Sequence, residues 1–397
     1  MNGRAVWCAA DKCSVYENGG LKMERYFGEK TPKLGFGLMR LPKLEDGKTI
    51  DVEQTKQMVD MFLAAGQTYF DTAYVYDRGE SEKATKLALV DRHPRDSYTI
   101  CTKLNAGVAN SEEEAKSQLY TSLERTGAGY FDYYLLHALQ SNNIDKYEDY
   151  HLWDFANEQK AKGVLKHIGF SYHDGPELLD KLLTKHPEVD FIQLQINYRD
   201  WENKSIASRA NYEVARKYGV SLTVMEPVKG GQLANPPKEV QDVFKAIHPD
   251  MSCASWAIRY VASLDGIITV LSGMSNVEQM ADNLSYMEHF KSLDDEEKQA
   301  IRKAQEILGS VNSIPCTACH YCTDGCPMGI PIPDIFAARN KQLIWGQIEE
   351  SRRDYALVIE DSGKAGDCIG CGQCENACPQ HIKIISKLAE CSEVFAE

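Results

Sequence analysis

No apolar run in this chain approaches the roughly 20 residues that a bilayer-spanning helix needs. Met1 to Ser14 is interrupted by Arg4, Asp11 and Lys12, so the N-terminus lacks the apolar core of a signal peptide. A basic surplus is missing as well: 44 lysines and arginines face 58 aspartates and glutamates, a formal charge of -14. Phosphate neutralisation needs a basic face, so neither a nucleic-acid nor a membrane partner is expected. A cytoplasmic protein is. Also absent is a glycine-rich turn after the first strand with an acidic residue about 20 positions on, which a doubly wound open sheet would want. Gly35-Phe36-Gly37 lies inside a strand-like run instead. Cysteine, by contrast, is plentiful. Thirteen of them in a reducing compartment point to metal or cluster ligation rather than disulfides.

The 397 residues suffice for a barrel of about 250 plus a smaller unit. Residues 1–22 lack the periodicity of a core, and Met23 to Gly28 looks like a natural beginning, so 1–22 is expected to be an extension. Cys8 and Cys13 in it have no zinc spacing. From Leu34 strand and helix alternate. Strands are expected at Leu34 to Met39, Gln67 to Phe70, Tyr98 to Thr102, Tyr130 to Leu136, Lys166 to Phe170, Phe191 to Ile196, Ser221 to Met225 and Ile267 to Leu271. A helical pattern follows each, some of them stopped by glycine, as at Gly66 and Gly163. Eight such units imply a parallel sheet closed into a (β/α)8 barrel, residues 23–292. Leu293 to Ser310 reads as a charged spacer helix within a linker, 293–312, and the composition changes abruptly near Ser313, where a small, mainly helical domain, 313–397, begins.

Four ionisable side chains fall at or just beyond the C-terminal ends of successive strands: Asp71 and Tyr76 after the second, Lys103 after the third, His137 after the fourth. In a parallel barrel those ends share one mouth, where active sites are found. Alone, Asp71 with Lys103 reads as a buried structural ion pair and His137 as a satisfied core histidine; their joint placement is the signal.

The last domain carries Cys316-x2-Cys319-x2-Cys322-x3-Cys326-Pro327 and then Cys368-x2-Cys371-x2-Cys374-x3-Cys378-Pro379. Each run has the bacterial ferredoxin spacing for a [4Fe-4S] cluster, whose fourth cysteine ligates the other cluster when two are present. Cys316, Cys319, Cys322 and Cys378 are therefore expected to hold one cluster, and Cys368, Cys371, Cys374 and Cys326 the other. The alternative is structural zinc, which prefers paired C-x2-C knuckles. Pro333 to Arg353 between the runs reads as helical.

Asp71-Thr72-Ala73-x-x-Tyr76, Gly79-x-Ser81-Glu82, Thr102-Lys103 and Leu135-Leu136-His137 together resemble the aldo-keto reductases, from about Met23 to Met287, and the cysteine domain resembles that of the branch with a C-terminal dicluster ferredoxin. The resemblance implies hydride transfer between NADP or NAD and a small carbonyl or alcohol substrate, with Tyr76 as general acid or base, Lys103 and Asp71 tuning it, and His137 orienting the carbonyl. It places Ser171 and Gln195 on the nicotinamide carboxamide, Gly230 and Gly231 with Gly273, Ser275 and Asn276 on the phosphates, and Gln279 and Asn283 on the adenosine side.

Several positions depart from the family pattern. Tyr172 stands where many members have asparagine. Met225-Glu226-Pro227 replaces the usual Tyr-Ser-Pro, removing the ring that stacks on the nicotinamide. Gly273 and Gln279 replace the lysine and arginine that grip a 2′-phosphate, which leaves weak discrimination between the cofactors or a preference for NAD. Clusters pass single electrons, whereas a nicotinamide takes a hydride, and no flavin motif bridges the two. Three functions follow: an enzyme using both modules, served by a ferredoxin- or flavodoxin-like electron partner; an ordinary reductase with structural or redox-sensing clusters; or an electron-transfer subunit whose barrel binds a partner. A helix of about 18 residues rises about 27 Å, enough to carry the chain from the barrel bottom back to its mouth, so the cysteine domain is expected over or beside that mouth.

Overall fold

The computed structural model describes Gly28, residues 31–311 and residues 313–396; Cys8 and Cys13 lie outside these. Eight parallel strands close into a barrel in sequence order: β1 Leu34–Gly37, β2 Tyr69–Asp71, β3 Thr99–Leu104, β4 Phe131–Leu139, β5 Leu165–Tyr172, β6 Phe191–Gln195, β7 Ser221–Met225 and β8 Ile267–Ser272. Their near-continuous apolar runs suit strands covered on both faces. Tyr69, Cys101, Tyr133, Leu135, Phe191, Ile268 and Leu271 form one buried cluster of their own, while Phe36, Phe70, Ile100 and Tyr134 join the larger cluster that includes the surrounding helices. No helix among the described residues is long and apolar enough to cross a membrane.

Register sets the site. Gly37 pairs with Asp71 and Asp71 with Cys101, while Lys103 pairs with Leu135. Lys103 is thus two residues beyond Cys101, and His137 two beyond Leu135. With a side-chain period of two, each shares a strand face with an apolar residue below it. Near the opposite end of β4, Asp132 holds Arg95, Lys166 and the Ile100 N–H, a carboxylate at the start of a strand whose partners are structural.

The outer helices follow the pattern with local differences. Ser111 caps Glu112–Thr126 by accepting from the Glu114 N–H, and Gly127 ends it in the left-handed region. Glu80–Thr85 runs on into a wider, π-type turn, Lys86–Val90. β1 is shorter than expected, because Leu38–Arg40 turns into a 3-10 helix. Two helices not foreseen, Ile144–Asp149 and Lys238–Lys245, sit in the loops after β4 and β7; six and eight residues are too few for a readable period.

The helix read as a spacer, Asp295–Gly309, packs along the barrel: Ala300, Ile301, Ala304 and Leu308 enter its core. Glu297 is buried between Arg259 and His248, and Gln305 donates to the carbonyl of Tyr198, three residues past β6. The helical stretch expected from Pro333 to Arg353 is two helices, Ile332–Trp345 and Ile348–Val358, because Gly346 takes a left-handed φ of 68° and stops the first. Short helices Gln373–Asn376 and Ile384–Val394 complete a second apolar core, around Ile335, Phe336, Tyr355 and Leu388.

Candidate active site and cysteine cavities

Lys103, fully buried, donates to Asp71 Oδ1 at 2.5 Å and to the Thr72 carbonyl at 2.6 Å. Its ammonium lies 4.6 Å from the centroid of the Tyr76 ring, and that ring meets the His137 imidazole edge-on at 5.8 Å. Asp71, Tyr76, Lys103 and His137 therefore come together as four neighbours over an apolar floor. Burial pushes the Tyr76 phenol well above its ordinary value, with Asp71 adding to it, so the phenol is neutral. Burial, then Lys103, lowers His137 well below the ordinary imidazole value, so it too is neutral. Lys103 faces the ring of Tyr76 while its hydrogen bonds go to Asp71 and Thr72.

A cavity of about 560 Å³ opens beside Tyr76, between the ends of β1, β7 and β8. Of the residues expected to contact a dinucleotide, Met225, Gly230, Gly231, Gly273, Ser275, Asn276, Gln279 and Asn283 line it, with Asp71 and Tyr76 at one end. Ser171 and Gln195 are not on it. Ser171 Oγ accepts the Ala138 N–H at 2.7 Å, and Gln195 exchanges two hydrogen bonds, 3.0 and 2.8 Å, with Gln380 of the cysteine domain. Gln193, one strand repeat below Gln195, lines the cavity instead, its Oε1 buried without a partner among the described residues.

The loop after β7 is strained. Glu226 and Lys229 adopt φ of 57° and 50°, a region that costs non-glycine residues free energy. Glu226 Oε2 accepts the Gly230 N–H at 2.6 Å, so that amide is already satisfied by the chain's own carboxylate, and Arg40 comes within 3.7 Å of the other oxygen. Lys229 is fully buried on both carboxylate oxygens of Asp200, at 2.7 and 2.6 Å. It holds the loop and does not face the cavity.

The eight cluster-type cysteines line two separate cavities: Cys316, Cys319, Cys322 and Cys378 around one, and Cys326, Cys368, Cys371 and Cys374 around the other. Each combines three thiols of one run with the last of the other. Among the described residues no group of three or more His, Cys, Asp or Glu converges on a point that could hold a single ion. A cubane asks for something different, since each thiolate binds its own iron. Four soft donors around an apolar pocket, with Ile332 common to both linings, fit such a cluster. Cys101 and Cys391 are fully buried, while Cys253 is half-buried.

The cysteine domain covers the mouth. Arg40 donates to the carbonyls of Thr317 and Ala318, Gln232 to that of Cys316 at 2.7 Å, and Arg199 to Ser313 Oγ at 2.6 Å. Tyr321 places its ring edge-on to His137 at 6.4 Å. Sequence reasoning missed Arg40, Gln193, Tyr321 and Gln380; nothing in their local pattern announces contacts across up to 278 residues of separation. A close approach at Gly230 fixes this docking: a Cβ there would stand 2.5 Å from the Thr317 carbonyl oxygen, and its φ is +61°. Gly230→Ala is expected to lower the denaturation midpoint by an amount worth about 1–3 kcal/mol and to speed proteolysis near Ser313. Gly231→Ala, at φ +92° with open space around it, bears the backbone cost alone; equal effects of the two changes would dismiss the steric role of Gly230.

The model of the aldo/keto reductase family matches residues 33–306, and that of the 4Fe-4S dicluster domain matches residues 315–382. The chain is 24% identical over 310 residues to the uncharacterized oxidoreductase YqkF of Bacillus subtilis (strain 168), covering 68% of this chain and 94% of that one. Among solved structures, the aldo-keto reductase AKR11C1 from Bacillus halodurans, in its holo form, is 25% identical with a TM-score of 0.55, covering 68% of this chain and 91% of that one. An aldo-keto reductase from Klebsiella pneumoniae in complex with NADPH superposes with a TM-score of 0.57 over 71% of this chain and 94% of its own, at 18% identity, a likeness of fold.

Proposed function

Because the chain belongs to the aldo/keto reductase family and carries a 4Fe-4S dicluster domain, we propose that it reduces a small carbonyl compound, or oxidises the matching alcohol, at the barrel mouth, using NAD or NADP and two [4Fe-4S] clusters for electron transfer. The observation that carries this reading is the meeting of Asp71, Tyr76, Lys103 and His137 beside a cavity of about 560 Å³. When bound, the nicotinamide exchanges a hydride and the clusters exchange single electrons; the rest is the work of this chain's side chains. Tyr76, neutral through burial, donates its proton to the oxygen of the substrate. Lys103, held by Asp71 and Thr72, keeps positive charge next to the phenolate this leaves. His137, neutral, orients the oxygen. The Gly273–Asn283 wall would hold the dinucleotide, and the two sets of four cysteines would hold the clusters. The domain boundaries follow the same division, the barrel in 23–292, its wall helix in 293–312 and the cluster unit in 313–397.

NAD is the expected cofactor. Gly273 and Gln279 bring no charge, Glu278 and Asp282 line the same wall, and Lys229 is committed to Asp200. A charged hydrogen bond to phosphate contributes about 1.5–3 kcal/mol, and Arg40, the cation on the described lining, is engaged by Glu226 and the carbonyls of Thr317 and Ala318. Anaerobic titration of the full-length protein with NADH and with NADPH, followed by nucleotide fluorescence and by the visible absorption of the clusters, should show NADH binding at least as tightly. Bleaching by nucleotide alone supports electron transfer between the modules; nucleotide turnover of a carbonyl without it favours structural clusters. Absence of binding by either nucleotide would overturn the proposal.

A further inference from the structure

Tyr321 sits between Cys319 and Cys322 in the cysteine domain, yet its ring lies against the barrel's own His137. The rings of Tyr76, His137 and Tyr321 form a row of edge-on contacts, 5.8 Å at 76° and then 6.4 Å at 80°. Among the described residues the two hydroxyls and the imidazole nitrogens of this row have no hydrogen-bond partner, and His137 Nδ1 is buried. A buried polar atom left without a partner is costly and rare. The His137 Nδ1, with the unpartnered hydroxyls of the rings on either side of it, marks a place where a ligand atom completes them. The charges nearby are already matched, Lys103 by Asp71 and Arg40 by Glu226 and two carbonyls. What is left to satisfy is an uncharged oxygen with lone pairs to accept from neutral donors.

We infer that Tyr321, supplied by the cysteine domain, is a substrate-positioning residue that donates a hydrogen bond to the carbonyl oxygen bound by Tyr76 and His137. The inference rests on the carbonyl-site reading above and extends it: the barrel alone has an incomplete oxygen site, and the loop that carries three cluster-type cysteines finishes it. Its place against the barrel is secured by neighbours on the same loop, since Arg40 donates to the carbonyls of Thr317 and Ala318.

The test uses the full-length, cluster-loaded protein and 4-(trifluoromethyl)benzaldehyde as probe, its binding read by fluorine NMR and its reduction by nucleotide oxidation. Tyr321→Phe keeps the ring against His137 and removes only the hydroxyl. It should weaken the probe about threefold to tenfold and raise KM in step, with nucleotide affinity and cluster absorption unchanged. An unaltered probe affinity, in a protein whose turnover Tyr76→Phe abolishes, overturns the role of Tyr321 and leaves the carbonyl site standing. If Tyr76→Phe is equally without effect, the carbonyl-site reading itself fails. Loss of cluster absorption in Tyr321→Phe, or of saturable probe binding in the unsubstituted protein, also counts against the inference.

Discussion

Tyr76→Phe is expected to lower kcat for carbonyl reduction by about a hundredfold to ten-thousandfold, the range over which a positioned proton donor contributes, with nucleotide affinity unchanged. The substitution removes a single oxygen whose neighbours are already arranged: Lys103 stays on Asp71 and Thr72, and the ring keeps its contacts with Lys103 and His137. Little stability should be lost, because the hydroxyl has no partner among the described residues. The pH profile of the unsubstituted protein makes an independent check. An ordinary imidazole titrates near 6.5 and a phenol near 10. Here burial lowers His137, so it remains neutral as pH falls through 6.5, and raises Tyr76, so it keeps its proton as pH rises through 10. Reduction should therefore be flat between these values. A retained kcat in Tyr76→Phe, or an ionisation near 6.5 that controls the rate and vanishes in His137→Gln, would contradict the arrangement.

The second large effect concerns which cluster a cysteine serves. Cys378→Ala should remove the cluster held by Cys316, Cys319 and Cys322, about half of an expected eight or so irons per chain, because Cys378 lines their cavity and not that of its own run. Cys326→Ala should likewise remove the cluster of Cys368, Cys371 and Cys374. Pairwise changes separate cross-ligation from its opposite. Cys378→Ala with Cys322→Ala strikes one site twice and should lose no more iron than either change alone. Cys378→Ala with Cys374→Ala strikes both sites and should lose nearly all. Additivity follows independence, so iron and sulfide analysis of the two double variants decides the matter; the reverse pattern means that each run closes its own cluster. Cys378→Ala should also reach the barrel, because Gln380 two residues on is paired with Gln195.

The amino-acid sequence determined those features that depend on short-range order. Eight apolar runs bounded by turn residues and separated by amphipathic stretches have few ways to pack other than a closed parallel barrel. Lys103 and His137 then fall at the C-terminal ends of their runs, which a parallel barrel gathers at one mouth. The cysteine spacing did the same for the two sets of four thiols, because a fixed number of residues in a tight turn fixes how many donors reach one cavity. Tertiary structure alone decided what depends on two distant surfaces meeting. Lys229 is one residue from Gly230, beside the turn expected to meet the phosphates, but Asp200 faces it in the fold and takes its charge. Gln195 stood in a readable motif, yet its amide faces Gln380 from 185 positions away. Tyr321 was one aromatic residue in a cysteine loop, and only the docking of that loop on the barrel sets it beside His137. The physical reason is common to all three. Backbone propensity and periodicity are local and can be read along the chain, whereas a side chain's partner is set by whichever surface desolvates it, and the sequence does not record that surface beside the residue.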